Sequence, residues 1–163
     1  MKNALKVTTN GDREIVITRS FDAPRRLVFD AMTKPELMKR WFGVFGGWSL
    51  EVCEVDLRVG GSYRYLWRGP DGAQMGMRGV YREVVPPERI VSTEQYDESW
   101  YPGGAVGTLV LTEKGGKTTL TTTVRYDTRE ARDAVLKSPM ESGMAAGYDN
   151  LEKFLETLAQ EAK

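Results

Sequence analysis

Between residues 48 and 126 the chain passes through six extended segments in a row, and one long amphipathic helix after Ser138 is the only large element left to cover them. The segments span residues 49–59, 62–67, 74–85, 90–96, 107–113 and 117–126. Turn residues separate them: Gly60-Gly61, Gly69-Pro70-Asp71-Gly72, Pro86-Pro87 and Gly115-Gly116. Strands joined by loops this short pair as an antiparallel meander. A sheet of that size has one apolar face to bury, and a single helix must bury it. The sheet therefore has to curl. A curled sheet on one helix is hard to fill completely, so a pocket is expected between them.

The flanking segments supply smaller pieces. Residues 14–21 are rich in β-branched side chains and read as a first strand. Pro24 suits the start of a helix that carries Leu27, Val28, Ala31 and Met32 at helical spacing. Pro35 ends it and opens a second short helix with Leu37, Met38, Trp41 and Phe42 on its apolar side. Asp127 with Glu130, and Ser138 with Glu141, have the spacing of capping boxes, and Pro139 falls just inside the second start. The long helix that follows carries an apolar stripe of Met140, Met144, Gly147, Tyr148, Leu151, Phe154, Leu155 and Leu158. The expected architecture is α+β, in the order β-α-α-β6-α, with six to seven antiparallel strands curled around the long C-terminal helix. A chain of 163 residues suits one domain, 1–163, with residues 1–12 as a flexible N-terminus.

Strand alternation says which side chains look toward the helix. Tyr63, Tyr65 and Trp67 share one face of their strand, Met75, Met77, Gly79 and Tyr81 share one face of the next, and Tyr96 follows. Gly60-Gly61, Gly76 and Gly79 are places where bends or bulges would let the sheet curl. Aromatic and Met side chains form adaptable apolar surface suited to flat or hydrophobic molecules, although the plainer reading makes them core. Gly143 and Gly147 stand out, because each glycine inside a helix costs about 1 kcal/mol relative to alanine. Close approach of sheet backbone and room for a ligand would each account for them. The expected ligand-binding residues are thus Tyr63, Tyr65, Trp67, Met75, Met77, Tyr81 and Tyr96 on strands. Trp41 from the second short helix joins them, with Met144, Gly147 and Tyr148 from the long one.

The chain has no histidine and one cysteine. No imidazole base, histidine-dependent triad or histidine-ligated metal is available. Cys53 alone makes no intrachain disulfide or redox pair and reads as a small core residue. No EF-hand or Walker spacing occurs, so no metal site, nucleotide site or cofactor is expected. With 23 Lys+Arg against 23 Asp+Glu the formal net charge is zero, which provides no long-range attraction to nucleic acid or anionic membrane. No run approaches the roughly 18 apolar residues of a membrane span, and the first residues lack a secretory signal. A cytoplasmic location is expected.

The ordered series of short segments is more specific than any one of them. It comprises Phe21-Asp22-Ala23-Pro24 leading into Val28-Phe29-Asp30-Ala31, then Lys34-Pro35-Glu36 before Trp41-Phe42. Asp56-Leu57-Arg58-Val59-Gly60-Gly61-Ser62-Tyr63-Arg64 follows. Next come Gly79 before Glu83-Val84-Val85-Pro86-Pro87-Glu88-Arg89-Ile90, and Gly143 through Gly147-Tyr148 to Leu151. In this order and spacing they resemble the SRPBCC superfamily of START-like proteins related to the birch pollen allergen. More closely they resemble the branch named for activators of the heat-shock protein 90 ATPase. The resemblance implies a helix-grip fold with a cavity between sheet and long helix. It implies no catalytic residue, and Tyr148 stands where the family commonly has Trp. The eukaryotic co-chaperones carry a separate N-terminal domain, whereas only residues 1–13 precede the first strand here, which argues against a chaperone partner.

An enzyme needs polar groups inside the sheet. Arg78, Glu83, Glu94, Asp97, Thr108 and Thr122 lie on the expected strands and reach inward where a bulge shifts the register. A buried Glu83 or Glu94 with a raised pKa can donate a proton in a cyclisation or dehydration, with Tyr63, Tyr65 or Tyr81 as partner. The alternative is a solvated outer face laced by cross-strand ion pairs. Three functions stay open. The foremost is binding of a small hydrophobic or aromatic molecule, lipid- or polyketide-like, in the cavity. The others are a metal-free cyclase or hydrolase acting on such a ligand and a co-chaperone-like interaction domain. A homodimer is compatible with each.

Overall fold

The computed structural model describes residues 3–44 and 46–161. In chain order its elements are β1 (Lys6–Asn10), β2 (Glu14–Phe21), α1 (Arg25–Thr33), α2 (Pro35–Met38), β3 (Ser49–Val55), β4 (Ser62–Arg68), β5 (Gln74–Val85), β6 (Arg89–Tyr96), β7 (Ala105–Lys114), β8 (Lys117–Tyr126), α3 (Arg129–Lys137) and α4 (Met140–Glu161). The strands form one antiparallel sheet in the order β1-β2-β8-β7-β6-β5-β4-β3. This is the α+β helix-grip arrangement expected from the sequence, with eight strands rather than six or seven.

The extra strand is β1, which lies within the segment assigned to a flexible N-terminus. It pairs with β2 from Lys6↔Thr18 to Asn10↔Glu14, and the Asn10 side chain donates to Glu14 Oε1 at 2.8 Å. Its pattern is almost wholly exposed, so no apolar alternation marked it. The signal it did carry was Asn10-Gly11, a turn pair that favours a tight hairpin; Gly11 has φ 61°.

The inner face of the sheet is written in plain alternation. Along β2, Ile15, Ile17, Arg19 and Phe21 are all buried. Ile15, Ile17 and Phe21 meet Leu120 and Val124 of β8, Val28 and Ala31 of α1, and Leu151, Phe154 and Leu155 of α4 in one apolar core. Lys34 is extended because Pro35 follows it, and that break separates α1 from α2. A smaller cluster of Met38, Leu50, Cys53 and Trp67 closes the α2–β3–β4 end.

Curvature comes from other places than the glycines suggested. Register shifts fall between Leu50 and Val52 on β3 and between Tyr81 and Glu83 on β5, whereas pairing with β4 through Gly76 and Gly79 is regular. These two glycines serve close contact instead. A Cβ at Gly76 would collide with the Asp97 carboxylate, and one at Gly79 with the Thr93 carbonyl and the Tyr63 ring. The helix starts also differ in detail. Thr128, not Asp127, caps α3 by accepting from Ala131 N at 3.0 Å, because the Asp127 carboxylate is taken by Gly104 N at 2.9 Å. Ser138 donates back to Val135 O at 2.6 Å and so closes α3 rather than opening α4.

Candidate functional site

Strand β6 decides what faces the helix. Ile90 is buried and pairs with Leu109 on the neighbouring β7, so Ser92, Glu94 and Tyr96 share its inward face. Glu94 thus points into the grip by simple alternation, with no bulge required. Its carboxyl lies directly over Gly107 on β7, where a Cβ would occupy the same space as Oε2. Among the described residues nothing donates a hydrogen bond to it. Protein encloses it, and the loss of water pushes its pKa up from 4.5 to about 7. Yet the residue keeps some accessible surface.

Tyrosines converge on this carboxyl. Tyr126 on β8 and Glu94 on β6 both pair with Ala105 on the strand between them, so the two stand in one row across a small residue. Tyr96 lies two residues beyond Glu94 on the same face. Tyr101, from the β6–β7 loop, is buried and packs edge-on against Tyr126 at 5.2 Å between ring centroids. Burial raises the hydroxyl pKa of Tyr63, Tyr96, Tyr101, Tyr126 and Tyr148, and the nearby Glu94 charge adds to each; Tyr101 and Tyr148 reach about 12. All five are therefore neutral near pH 7. Tyr63 is spoken for, donating to Thr93 O at 2.7 Å.

The helical wall opposite is open. Gly147 sits on the inward stripe of α4 between Met144 and Leu151, and a Cβ built there, or at Gly143, meets no heavy atom within 4 Å. Close packing against the sheet therefore does not explain these glycines. From Met140 to Gly147 no residue of α4 is fully buried, whereas Tyr148, Leu151, Phe154 and Leu155 are. Tyr65, Met77 and Met144 are likewise only partly buried although they pack beside the core.

The remaining expected residues divide by surroundings. Trp41 is buried and donates its Nε1 to Ala31 O at 2.8 Å, with Tyr148 stacked on it at 6.4 Å. Trp67 donates to Phe42 O at 3.1 Å inside the smaller cluster. The structure gives both indoles a packing role, because their only polar atom is already paired with backbone. Tyr63 and Tyr81 are buried, and Tyr81 is pushed up to about 12 chiefly by that burial. Met75 is 42% exposed and stands at the rim, where it borders a hollow of about 330 Å³ with Trp48, Tyr96 and Trp100. A second hollow, of about 380 Å³, lies over Ser62, Arg64, Arg78 and Thr93; Glu94 lines neither.

Of the other polar candidates, Thr122 also faces inward, paired with the buried Ile17 and hydrogen-bonded to the Tyr148 side chain, whereas Arg78, Glu83, Asp97 and Thr108 belong to the outer face. Glu83 pairs with Arg89 at 2.9 Å, and Asp97 bridges Arg64 at 2.6 Å and Arg78 at 3.1 Å. Missed altogether by sequence reasoning were Tyr101, hidden in a loop, and Arg19. Arg19 is 2% exposed, reaches Asp149 at 3.0 Å and Glu152 at 3.5 Å on α4, and lies 5.4 Å from the Phe21 ring. Its inward parity between Ile17 and Phe21 was a legible signal.

An antiparallel sheet gripping one C-terminal helix, with part-buried aromatic and Met side chains between them, defines a helix-grip protein. Residues 22–156 match the family described as Activator of Hsp90 ATPase homolog 1-like protein, and the chain belongs to that family. A crystal structure of a Rhodobacter sphaeroides protein is 32% identical, with TM-score 0.88 over 94% of this chain and 99% of that one. A Staphylococcus epidermidis protein solved by NMR is 30% identical, with TM-score 0.79 over 93% and 94%. A Nitrosomonas europaea protein is 25% identical, with TM-score 0.80 over 94% and 99%. A search of curated proteins finds no match. Among the described residues no helix is long and apolar enough to cross a membrane.

Proposed function

We propose that this protein binds a small hydrophobic or aromatic molecule between the inner face of β4–β7 and the N-terminal half of α4. One observation carries the reading: Glu94 is enclosed yet accessible on the inner face, its charge reaches Tyr148 of α4, and the neighbouring Gly147 has nothing within 4 Å of its Cβ position. Tyr65, Met77, Tyr96 and Met144 supply the apolar wall, which releases about 25 cal/mol for each Å² of apolar ligand surface it covers. The free, buried thiol of Cys53 is compatible with a cytoplasmic setting.

The test is occlusion. G147L should keep the fold, by circular dichroism and urea denaturation, and abolish binding of a neutral apolar fluorophore that the unmodified protein takes up. Equal uptake by both proteins would sink the proposal.

A second reading has its own observation. A carboxyl whose pKa lies at about 7, ringed by neutral tyrosine hydroxyls, has the properties of a general acid or base in metal-free chemistry on a bound ligand. Turnover of a carbonyl-containing polyketide-like substrate that E94Q abolishes while still binding it would support that reading over binding alone.

A further inference from the structure

The polar end of the proposed cavity is built more specifically than a greasy pocket needs. Glu94 and Tyr126 share Ala105 as strand partner, so their side chains rise side by side over a residue too small to part them. Tyr96 stands two positions along β6 on the same face. Among the described residues, the Glu94 carboxyl accepts no hydrogen bond, and the hydroxyls of Tyr96 and Tyr126 donate none. Gly107 keeps the notch beneath Glu94 open, because any side chain there would displace the carboxyl. Three polar groups with unspent hydrogen-bonding capacity thus share one stretch of the inner face, beside Ser92 of β6.

We propose that Glu94, Tyr96 and Tyr126 form a subsite for a single hydroxyl group, phenolic or alcoholic, on the hydrophobic ligand. The inference rests on the binding reading above and names its ligand class. The chemistry selects among polar groups by what each can give and take. A hydroxyl donates its hydrogen to the carboxylate and offers lone pairs to the tyrosine hydrogens. A ketone or ether only accepts and leaves Glu94 unpaired. An ammonium only donates and leaves the tyrosine hydrogens unused. A carboxylate or sulfonate is repelled. The hydroxyl-to-carboxylate bond is charge-assisted and carries most of the selectivity.

The experiment uses the full chain at pH 8 with two probes of one carbon frame, 2-naphthol and 2-methylnaphthalene, titrated by calorimetry. The unmodified protein should bind 2-naphthol about tenfold more tightly or better, as one charge-assisted hydrogen bond provides. E94L should erase the preference by bringing its two affinities together, with its fold checked by circular dichroism and urea denaturation. E94Q, which keeps an acceptor oxygen without charge, should retain a smaller preference. If the unmodified protein binds both probes equally, the hydroxyl subsite is refuted and the apolar cavity stands. If the preference survives in E94L, Glu94 is not its source and the assignment falls. If neither probe binds, the cavity reading fails and takes the subsite with it.

Discussion

Replacing Glu94 by Gln should change the stability of this protein in a way that depends on pH and reverses ordinary intuition about losing a charged residue. Glu94 is the inward carboxyl, and burial raises its pKa from 4.5 to about 7 in the folded state. A raised pKa means that the folded protein holds the proton more tightly than the unfolded chain. The stability associated with that proton is fully present below pH 4.5 and is lost as pH rises through about 7. At about 1.4 kcal/mol for each pH unit, the displacement amounts to roughly 3 kcal/mol. Gln is neutral throughout, so E94Q should match the unmodified protein at pH 4 and exceed its stability by about 2–3 kcal/mol at pH 8. The groups facing Glu94 do not blur this window. Tyr63 of β4, Tyr96 of β6, Tyr101 of the following loop, Tyr126 of β8 and Tyr148 of α4 all have pKa values raised above 10. Urea denaturation of both proteins at pH 4, 5, 6, 7 and 8 reads the difference directly, and the many surface carboxylates common to both cancel. A difference that stays flat across the series, or an E94Q protein less stable at pH 8, would refute the buried, unpartnered carboxyl.

Three further outcomes follow from the packing. G147A should stabilise the protein by about 1 kcal/mol, since the added methyl meets nothing and alanine is the better helix former; a destabilisation in urea would mean that α4 lies closer to the sheet. Cys53, buried and pushed up to about 11 mainly by that burial, should react with a disulfide reagent at pH 8 only in denaturant, and rapid labelling of the native protein would contradict its place in the smaller cluster. R19M should change stability by no more than about 1 kcal/mol, because Nε and Nη2 make no hydrogen bond, Asp149 is 58% exposed and can return to water, and Glu152, 3.5 Å from Nη2, keeps its hydrogen bond from Asn3 Nδ2 at 3.0 Å. A loss above about 3 kcal/mol in urea denaturation would show instead that Arg19 holds α4 on the sheet.

Much of the architecture was legible because it rests on periodicity, which a sequence carries locally. The alternation along residues 14–21 became the buried face of β2, and the stripe from Tyr148 to Leu155 became the buried face of α4. The ordered segments from Phe21 to Leu151 pointed to the family that residues 22–156 match. Periodicity fails where an element buries little, and β1 shows it: an exposed edge strand leaves only the Asn10-Gly11 turn as a trace. Capping failed for a different reason. Asp127 and Thr128 are equally suited to start a helix, and the competing demand of Gly104 N settled which one did.

The site divides along the same line. Strand parity alone puts Tyr63, Tyr65, Met77, Tyr81 and Tyr96 on the inward face, and the absence of histidine leaves carboxylates and tyrosines as the acid–base groups. Which of those face positions border space depends on distances between distant segments, and these only the tertiary structure decided. It filled the surroundings of Trp41 and Trp67 with core, left Met75 at the rim, and emptied the space beside Gly147. It set Tyr126 beside Glu94 through a shared partner on β7 and brought Tyr101 in from a loop. The register of β6, β7 and β8 puts residues 94 and 126 in one row, and no local pattern in either segment records the other.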